Sequence, residues 1–416
     1  MRIVMTLKVR DEEDILADNL RFHRAQGVDF FVVTDNGSTD ATPEILSRYA
    51  DAGLVDVVRE PSEDFHELGQ EWVTRMARAA ASDHGADWVV HGDADEFWWP
   101  LRGTLRETLA AAPDQYGALI GARAEFVARP PAPGHWSERL IVRERRALLR
   151  PKVAHRGDPN AIVLHRGGHD VAFVGAGETL RSALRPPGRA VLRGVRGEEG
   201  AGGGEPVPAP TFDVRILHFP VRSLEQFLQR VDAALLHDPG RGPRARLKER
   251  YESEGVESLY ADLYLDDDEI AEGLEDGRLV RDTRLRDFLG LCPDPLSSRS
   301  EARPPRPPEL PVDELERERR ELQRDTMEAL ARHARLVEAR LGRDRDAEKR
   351  LRRELVQVKA EKGRLSKKAE RRQQRIRKLQ RKLERKGEAL RREHMRPGNR
   401  ARRLLGRALG RNQRSK

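Results

Sequence analysis

Apolar positions near the start of the chain fall into two alternating rhythms, short unbroken runs and recurrences every four residues. These predict strands and helices in turn. Ile3-Val4-Met5-Thr6-Leu7 sits within a strand over residues 2–9. Ile15, Leu16, Leu20 and His23 then share one face of a helix from Glu12 to Gln26, with Gly27 where a C-cap glycine belongs. Asp29-Phe30-Phe31-Val32-Val33-Thr34 is nearly all apolar, as expected of a strand covered on both faces. Thr42-Pro43-Glu44 marks a helix start, with Thr42 as cap and Pro43 at the first helical position. Leu54 to Val58 makes a third strand, and Leu68, Trp72, Met76 and Ala80 mark a third helix. Strands follow at Trp88–Gly92 and Gly117–Val127. Such alternation predicts a mainly parallel α/β sheet flanked by helices, with ligands beyond the carboxyl ends of the strands.

Past Val127 the pattern shortens into pieces at Arg139–Val142, Lys152–His155, Ala161–His165 and Val171–Val174. Residues 186–210 are rich in Gly and Pro and read as a flexible insertion. Order returns at Phe212–Phe219. A helix follows from about Arg222, where Ser223 and Gln226 make a capping-box pattern ahead of Phe227, Val231 and Leu235. The expected divisions are a domain over 1–240, a helical extension at 241–292 and a Pro-rich linker at 293–311. A long C-terminal coiled coil at 312–393 and a basic tail at 394–416 complete them. Leu315, Leu322, Ala329 and Leu336 open the heptads, and Leu351, Leu355, Val358, Leu365, Ala369, Ile376, Leu379, Leu383 and Leu390 continue them. About 80 residues of coiled coil would extend about 120 Å and favour self-association. The seam is imperfect, because Asp344, Lys362, Arg372 and Lys386 fall on it.

Charge divides the chain in the same place. The net charge is +8 over 416 residues, yet residues 1–310 hold 41 Lys and Arg against 53 Asp and Glu. Residues 311–416 hold 37 against 17. The body is acidic and the tail basic. The tail lacks aromatic residues to stack bases, which argues against nucleic acid. Its Arg402-Arg403-Leu404-Leu405 pattern suits an anionic membrane surface, so a scaffold or polyanion-binding role is the alternative function class. A single cysteine, Cys292, excludes an intramolecular disulfide and a cysteine-rich zinc module. With no apolar stretch of about 18 residues, the expectation is a cytoplasmic protein, peripheral at the inner membrane face.

Chemistry concentrates in acidic clusters that each follow a predicted strand: Arg10-Asp11-Glu12, Asp35-Asn36-Gly37-Ser38-Thr39-Asp40 and Asp93-Ala94-Asp95. They should converge on one edge of the sheet. Two acids one residue apart at a strand end suit a hard divalent cation that carries a diphosphate. Alone the pair is weak, since 36% of residues are charged. Walker-type and Gly-x-Gly-x-x-Gly loops are absent after the first strand, which removes NTPase and dinucleotide readings.

Val9-Arg10-Asp11-Glu12, Thr34 through Asp40 and Asp93-Ala94-Asp95-Glu96-Phe97 together resemble the glycosyltransferase family 2-like proteins of GT-A (Rossmann-like) fold. Lys152-Val153-Ala154-His155, Gly168-His169-Asp170-Val171 and His218-Phe219-Pro220-Val221-Arg222-Ser223 look like the downstream part of that group. The resemblance covers about residues 1–240. It implies transfer of a hexose-type sugar from a nucleotide-diphosphate donor with a divalent metal, Mn2+ ahead of Mg2+, and an inverting outcome. By analogy Asp95 touches the metal directly, and Asp93 holds the ribose or a metal-bound water. His218 is a third ligand. Val9, Asp11 and Asp35 hold base and ribose, Gly37 permits the tight turn, and Ser38 donates to the nucleotide. Arg222 is the candidate phosphate partner. Asp170, Glu138 and Glu125 are alternative general bases. Of the adjacent Trp98 and Trp99, one is expected to pack and the other to stack on a sugar.

Overall fold

The computed structural model describes residues 1–62, 65–114, 116–146, 149–164, 166–173, 213–235, 243–292, 296 and 306–341. The insertion at 186–210, the heptads from Leu351 onward and the tail at 394–416 lie outside the described residues.

The predicted alternation appears as β1 (Ile3–Val9), α1 (Leu16–Ala25), β2 (Phe30–Asp35), α2 (Thr42–Asp51), β3 (Val55–Arg59), α3 (Phe65–Ser82) and β4 (Trp88–Asp93). After these come β5 (Glu96–Pro100), α4 (Leu105–Ala110), β6 (Ala118–Glu125), α5 (Trp136–Arg139), β7 (Val142–Glu144) and β8 (Lys152–Arg156). A hairpin of β9 (Ala161–Val163) and β10 (Val171–Phe173) precedes β11 (Val214–His218) and α6 (Leu224–Leu235). The chain closes with α7 (Pro243–Glu254), α8 (Val256–Ala261), α9 (Asp267–Glu275), β12 (Leu279–Arg281), α10 (Arg284–Leu289) and α11 (Val312–Leu341).

Eight strands form one sheet in the order β3-β2-β1-β4-β8-β6-β11-β5. β8 and β5 oppose their neighbours, and the other six strands run one way. The sheet is therefore mixed and mainly parallel, as the alternation of strands and helices predicted. β1 shows why the apolar runs are unbroken. Ile3, Met5, Leu7 and Val9 face a large core with Phe22, Trp88, Trp98 and Phe288. Val4, with Val32 and Val89 of the neighbouring strands, packs on Val73, Met76, Ala77 and Ala80 of α3. Both faces are covered, so alternation is lost.

Four local readings change. Thr42 is the first residue of α2 and not its cap; its hydroxyl accepts from the Glu12 N–H at 2.9 Å, while Asp40 accepts from the Thr42 N–H. Glu96–Pro100 is a strand, buried along its whole length against β11. The extension at 241–292 is integral to the body and not purely helical. Its β12 pairs with β7, and Leu285, Phe288, Leu289 and Cys292 enter the main core. Finally, Leu315 and Leu322 of α11 are buried against Leu101 and Ala122. The first heptads therefore face the body of the same chain and are not open to a coiled-coil partner.

Charge reinforces that docking. Arg215 of β11 bonds Glu318 at 2.7 Å and Asp325 at 3.2 Å on α11. Arg143 of β7 reaches Asp282 at 2.8 Å and Glu318 at 3.4 Å. Both arginines are about as buried as the core, so each needs these partners. Among the described residues no helix is long and apolar enough to cross a membrane.

Candidate active site

The common direction of β1, β2, β4, β6 and β11 brings Val9, Asp35, Asp93, Glu125 and His218 to one edge of the sheet. At the β1–β2 end, Asp35 is buried and its Oδ1 accepts from the Ser38 N–H (2.9 Å) and hydroxyl (2.6 Å). The Ser38 oxygen in turn accepts from the Asp11 N–H at 3.0 Å, and Asp11 Oδ1 accepts from the Thr39 N–H at 2.7 Å. Val9 carbonyl accepts from the Asn36 N–H at 2.9 Å. Gly37 has φ of 71°, and a Cβ there would lie 2.7 Å from Pro61. Asp11 itself holds φ of 53°, a left-handed conformation that a non-glycine residue adopts only under local constraint. The expected donation from Ser38 to a nucleotide is not available in this arrangement, because its one hydroxyl proton goes to Asp35. Arg59, largely exposed, stands 3.8 Å from the other Asp35 oxygen.

The two acids of the Asp93-Ala94-Asp95 turn have different surroundings. Asp93 accepts from Lys152 Nζ at 2.7 Å and lies 3.5 Å from Lys8 Nζ. Burial would raise its pKa, but Lys152 and then Lys8 outweigh that and hold the carboxyl far below its ordinary range. Glu96, fully buried, accepts from the Asp93 N–H at 3.0 Å and pairs with Lys152 and Arg123, so it anchors the turn. Asn19 of α1 holds the same turn from the other side, donating to the carbonyls of Ala94 and Glu96 at 2.9 Å each.

Asp95 is buried and faces β11 and α6. Its Oδ2 lies 3.6 Å from His218 Nε2 and 3.5 Å from Arg230 Nη1. His218 Nδ1 meets Glu125 Oε2 at 2.5 Å. A carboxylate at Nδ1 places the proton there and turns Nε2 toward Asp95, the arrangement in which a second group orients a metal-binding imidazole. Burial favours neutral His218, yet Asp95 and Glu125 outweigh it and raise the pKa above the ordinary value. Among the described residues no three His, Cys, Asp or Glu side chains are grouped so as to hold a metal by themselves. Asp95 and His218, 3.6 Å apart, could supply at most two protein ligands to an ion. Asp93 fits direct metal contact less well, since two lysines already neutralise it.

The remaining candidates separate. Arg222 is fully buried and bonds Asp14 (2.7 and 2.8 Å), Glu12 (2.6 Å) and the Phe219 carbonyl (3.2 Å). It clamps the post-β1 loop to the post-β11 loop and is not placed as a phosphate partner. Burial pushes the neighbouring Glu12 carboxyl up to about 7, with Arg222 opposing and Asp95 adding to the rise. Trp98 is 1% exposed, its indole donating to the His91 carbonyl at 3.0 Å, and Trp99 stacks on Phe22. Both tryptophans are core, so neither offers a sugar platform. Asp170 is buried beside β10 and accepts from the Val171 N–H. Glu138 is exposed on α5. Of the three base candidates, Glu125 is the one that stands with Asp95 and His218. Sequence reasoning gave no role to Asn19, Lys8, Lys152 or Arg230; only Lys152 lay in a segment singled out there, and all four reach the turn from other elements.

A model of glycosyltransferase family 92 matches residues 6–120. The match runs from β1 into β6, takes in Asp11, Asp35, Asp93 and Asp95, and supports a glycosyltransferase. It covers little more than a quarter of the chain and leaves the exact family open between this one and the family 2-like group. No curated protein sequence matches. Among solved structures, S. aureus TarS 1–349 in complex with UDP-GlcNAc is 13% identical over 63% of this chain and 75% of that one, with a TM-score of 0.28. A mycobacterial protein is 17% identical over 52% and 65%, with a TM-score of 0.25. Against the longer S. aureus TarS structure the chain spans 23% of that protein's length, with 17% identity over 32% of this chain and a TM-score of 0.23.

Proposed function

We propose that this protein transfers a sugar from a nucleotide-diphosphate donor to a cell-envelope acceptor, with a divalent metal at Asp95 and His218. The observation that carries the reading is Asp95 facing a Glu125-oriented His218 at the carboxyl edge of the sheet. The metal would supply Lewis-acid neutralisation of the leaving diphosphate, and the mixed imidazole and carboxylate donors favour Mn2+. Base and ribose would lie over the Asp11–Asp35 end. Asp93 keeps about a third of its side chain open, so it can accept from a ribose hydroxyl while its lysine partners stay in place. The basic residues after 371 support an acceptor at an anionic surface.

The test is thermal unfolding of the full chain with Mn2+ and each of UDP, GDP, CDP and dTDP. One of these should stabilise the protein by about 2.7 kcal/mol at a hundredfold excess over Kd, and Asp95→Ala should abolish the effect. No shift with any of the four would sink the reading.

A further inference from the structure

Asp95 is buried, yet two basic side chains already face it, and they differ in exposure and in how they are held. His218 is fixed at the end of β11, bonded to Glu125 at Nδ1 and followed by Phe219, whose N–H donates to the Asp95 carbonyl at 2.9 Å. Arg230 projects from α6, is about half exposed, and is held otherwise by the Pro220 carbonyl. Its guanidinium charge also bears on Glu12. A buried carboxylate needs a counter-charge whether or not ligand is present. The half-exposed Arg230 guanidinium, 3.5 Å from Asp95 Oδ2, meets that need without any added ion.

Resting on the donor reading above, we propose that Arg230 is an exchangeable counter-ion. It neutralises Asp95 in the free protein and moves to the donor diphosphate when a divalent cation takes its place. A divalent ion on Asp95 and His218 would put two positive charges a few ångströms from the guanidinium, which therefore has to withdraw. Its withdrawal is compensated only where an anion waits nearby. The diphosphate is that anion, and it suits the bidentate guanidinium fork. Metal and nucleotide consequently bind as a pair. Metal alone has to displace Arg230 without offering it a new partner. Nucleotide alone leaves the Asp95 charge facing the phosphates.

The experiment compares the full-length protein with Arg230→Gln and Arg230→Lys. Each is titrated with Mn2+ alone, followed by the paramagnetic signal of free Mn2+, and with UDP, GDP, CDP and dTDP at saturating Mn2+. Arg230→Gln should bind Mn2+ alone about tenfold more tightly than wild type and the preferred nucleotide about tenfold more weakly. Arg230→Lys should stay near wild type for Mn2+ alone while losing part of the nucleotide affinity, because it keeps the charge and not the fork. Equal Mn2+ affinity in wild type and Arg230→Gln overturns the counter-ion role. Unchanged nucleotide affinity overturns the transfer to the diphosphate. If wild type binds none of the nucleotides, the donor reading has failed, and the Mn2+-alone comparison still decides whether Arg230 guards Asp95. The exposed position of Arg230 leaves the fold intact in both variants, which a matching melting curve checks.

Discussion

At the scale of single residues, one short motif divides into two sites of different character. Asp93 and Asp95 are a residue apart in sequence, but Asp93 points into a cluster with Lys8, Lys152 and Glu96, whereas Asp95 points to His218 and Arg230. Lys152 is the centre of the first cluster, with 1% of its side chain exposed and two carboxylate oxygens each at 2.7 Å. Lys152→Met fills much of the same volume but strands Asp93 and Glu96 without their main counter-charge. The expected cost is about 3 kcal/mol of stability, measured from urea midpoints at pH 7. A loss well below 1 kcal/mol would mean that Lys8 and Arg123 carry the cluster unaided. None of this was legible in the chain, because the lysines lie on β1 and β8 and are brought to Asp93 only by the sheet order. The Asp-x-Asp motif itself was legible, and so was the edge on which it stands.

Among whole elements, the strands with apolar runs were easy to read and those that depend on context were not. β1, β2 and β4 announce themselves because both faces are buried. β5 was hidden, since Glu96-Phe97-Trp98-Trp99-Pro100 follows a tight turn directly and ends in proline, and only its pairing with β11 identifies it as a strand. α11 was read as the start of a coiled coil because a seven-residue apolar repeat looks the same against a second helix as against a sheet. What separates the two is the row of carboxylates Glu318, Glu321, Asp325 and Glu328. They meet Arg143, Arg145, Arg146 and Arg215 of the body. Burial would raise the Glu318 pKa, but Arg284, Arg215 and Arg143 outweigh it and hold the carboxyl below its ordinary range. Glu318→Ala should therefore cost about 3–5 kcal/mol by leaving buried arginines short of a partner. Glu316→Ala, which removes an exposed pair with Arg319, should leave the urea midpoint nearly unchanged. Equal effects from the two substitutions would show that α11 is not anchored by this network.

For the molecule as a whole, the buried histidines set a limit on acid stability that the charged surface does not. His23 of α1 sits at the centre of the main core, fully buried. Its Nδ1 donates to the Asn19 carbonyl at 2.9 Å, and its Nε2 accepts the Trp98 N–H at 3.2 Å. Both ring nitrogens are committed in the neutral form, so a second proton would break the bond from Trp98. Burial lowers the His23 pKa from 6.5 to about 3 and, on β8, that of His155 to about 4. Above the unfolded value near 6.5 both states are neutral and the full stability is present. As pH falls below it, the unfolded chain takes up protons that the folded chain refuses, and stability drops by about 1.4 kcal/mol per pH unit for each group. The two together would remove about 5 kcal/mol between pH 6.5 and 4.5, comparable with the whole stability of an ordinary domain. Unfolding free energy from urea titrations should therefore fall steeply across that window. In His23→Gln the slope should be shallower by about 1.4 kcal/mol per pH unit, whatever the absolute stability of the variant. The slope is the informative quantity, because a merely structural defect from the substitution lowers the curve without changing its tilt. An unchanged tilt would mean that His23 already binds its proton in the folded protein, and that the hydrogen bond from Trp98 to its ring is not formed.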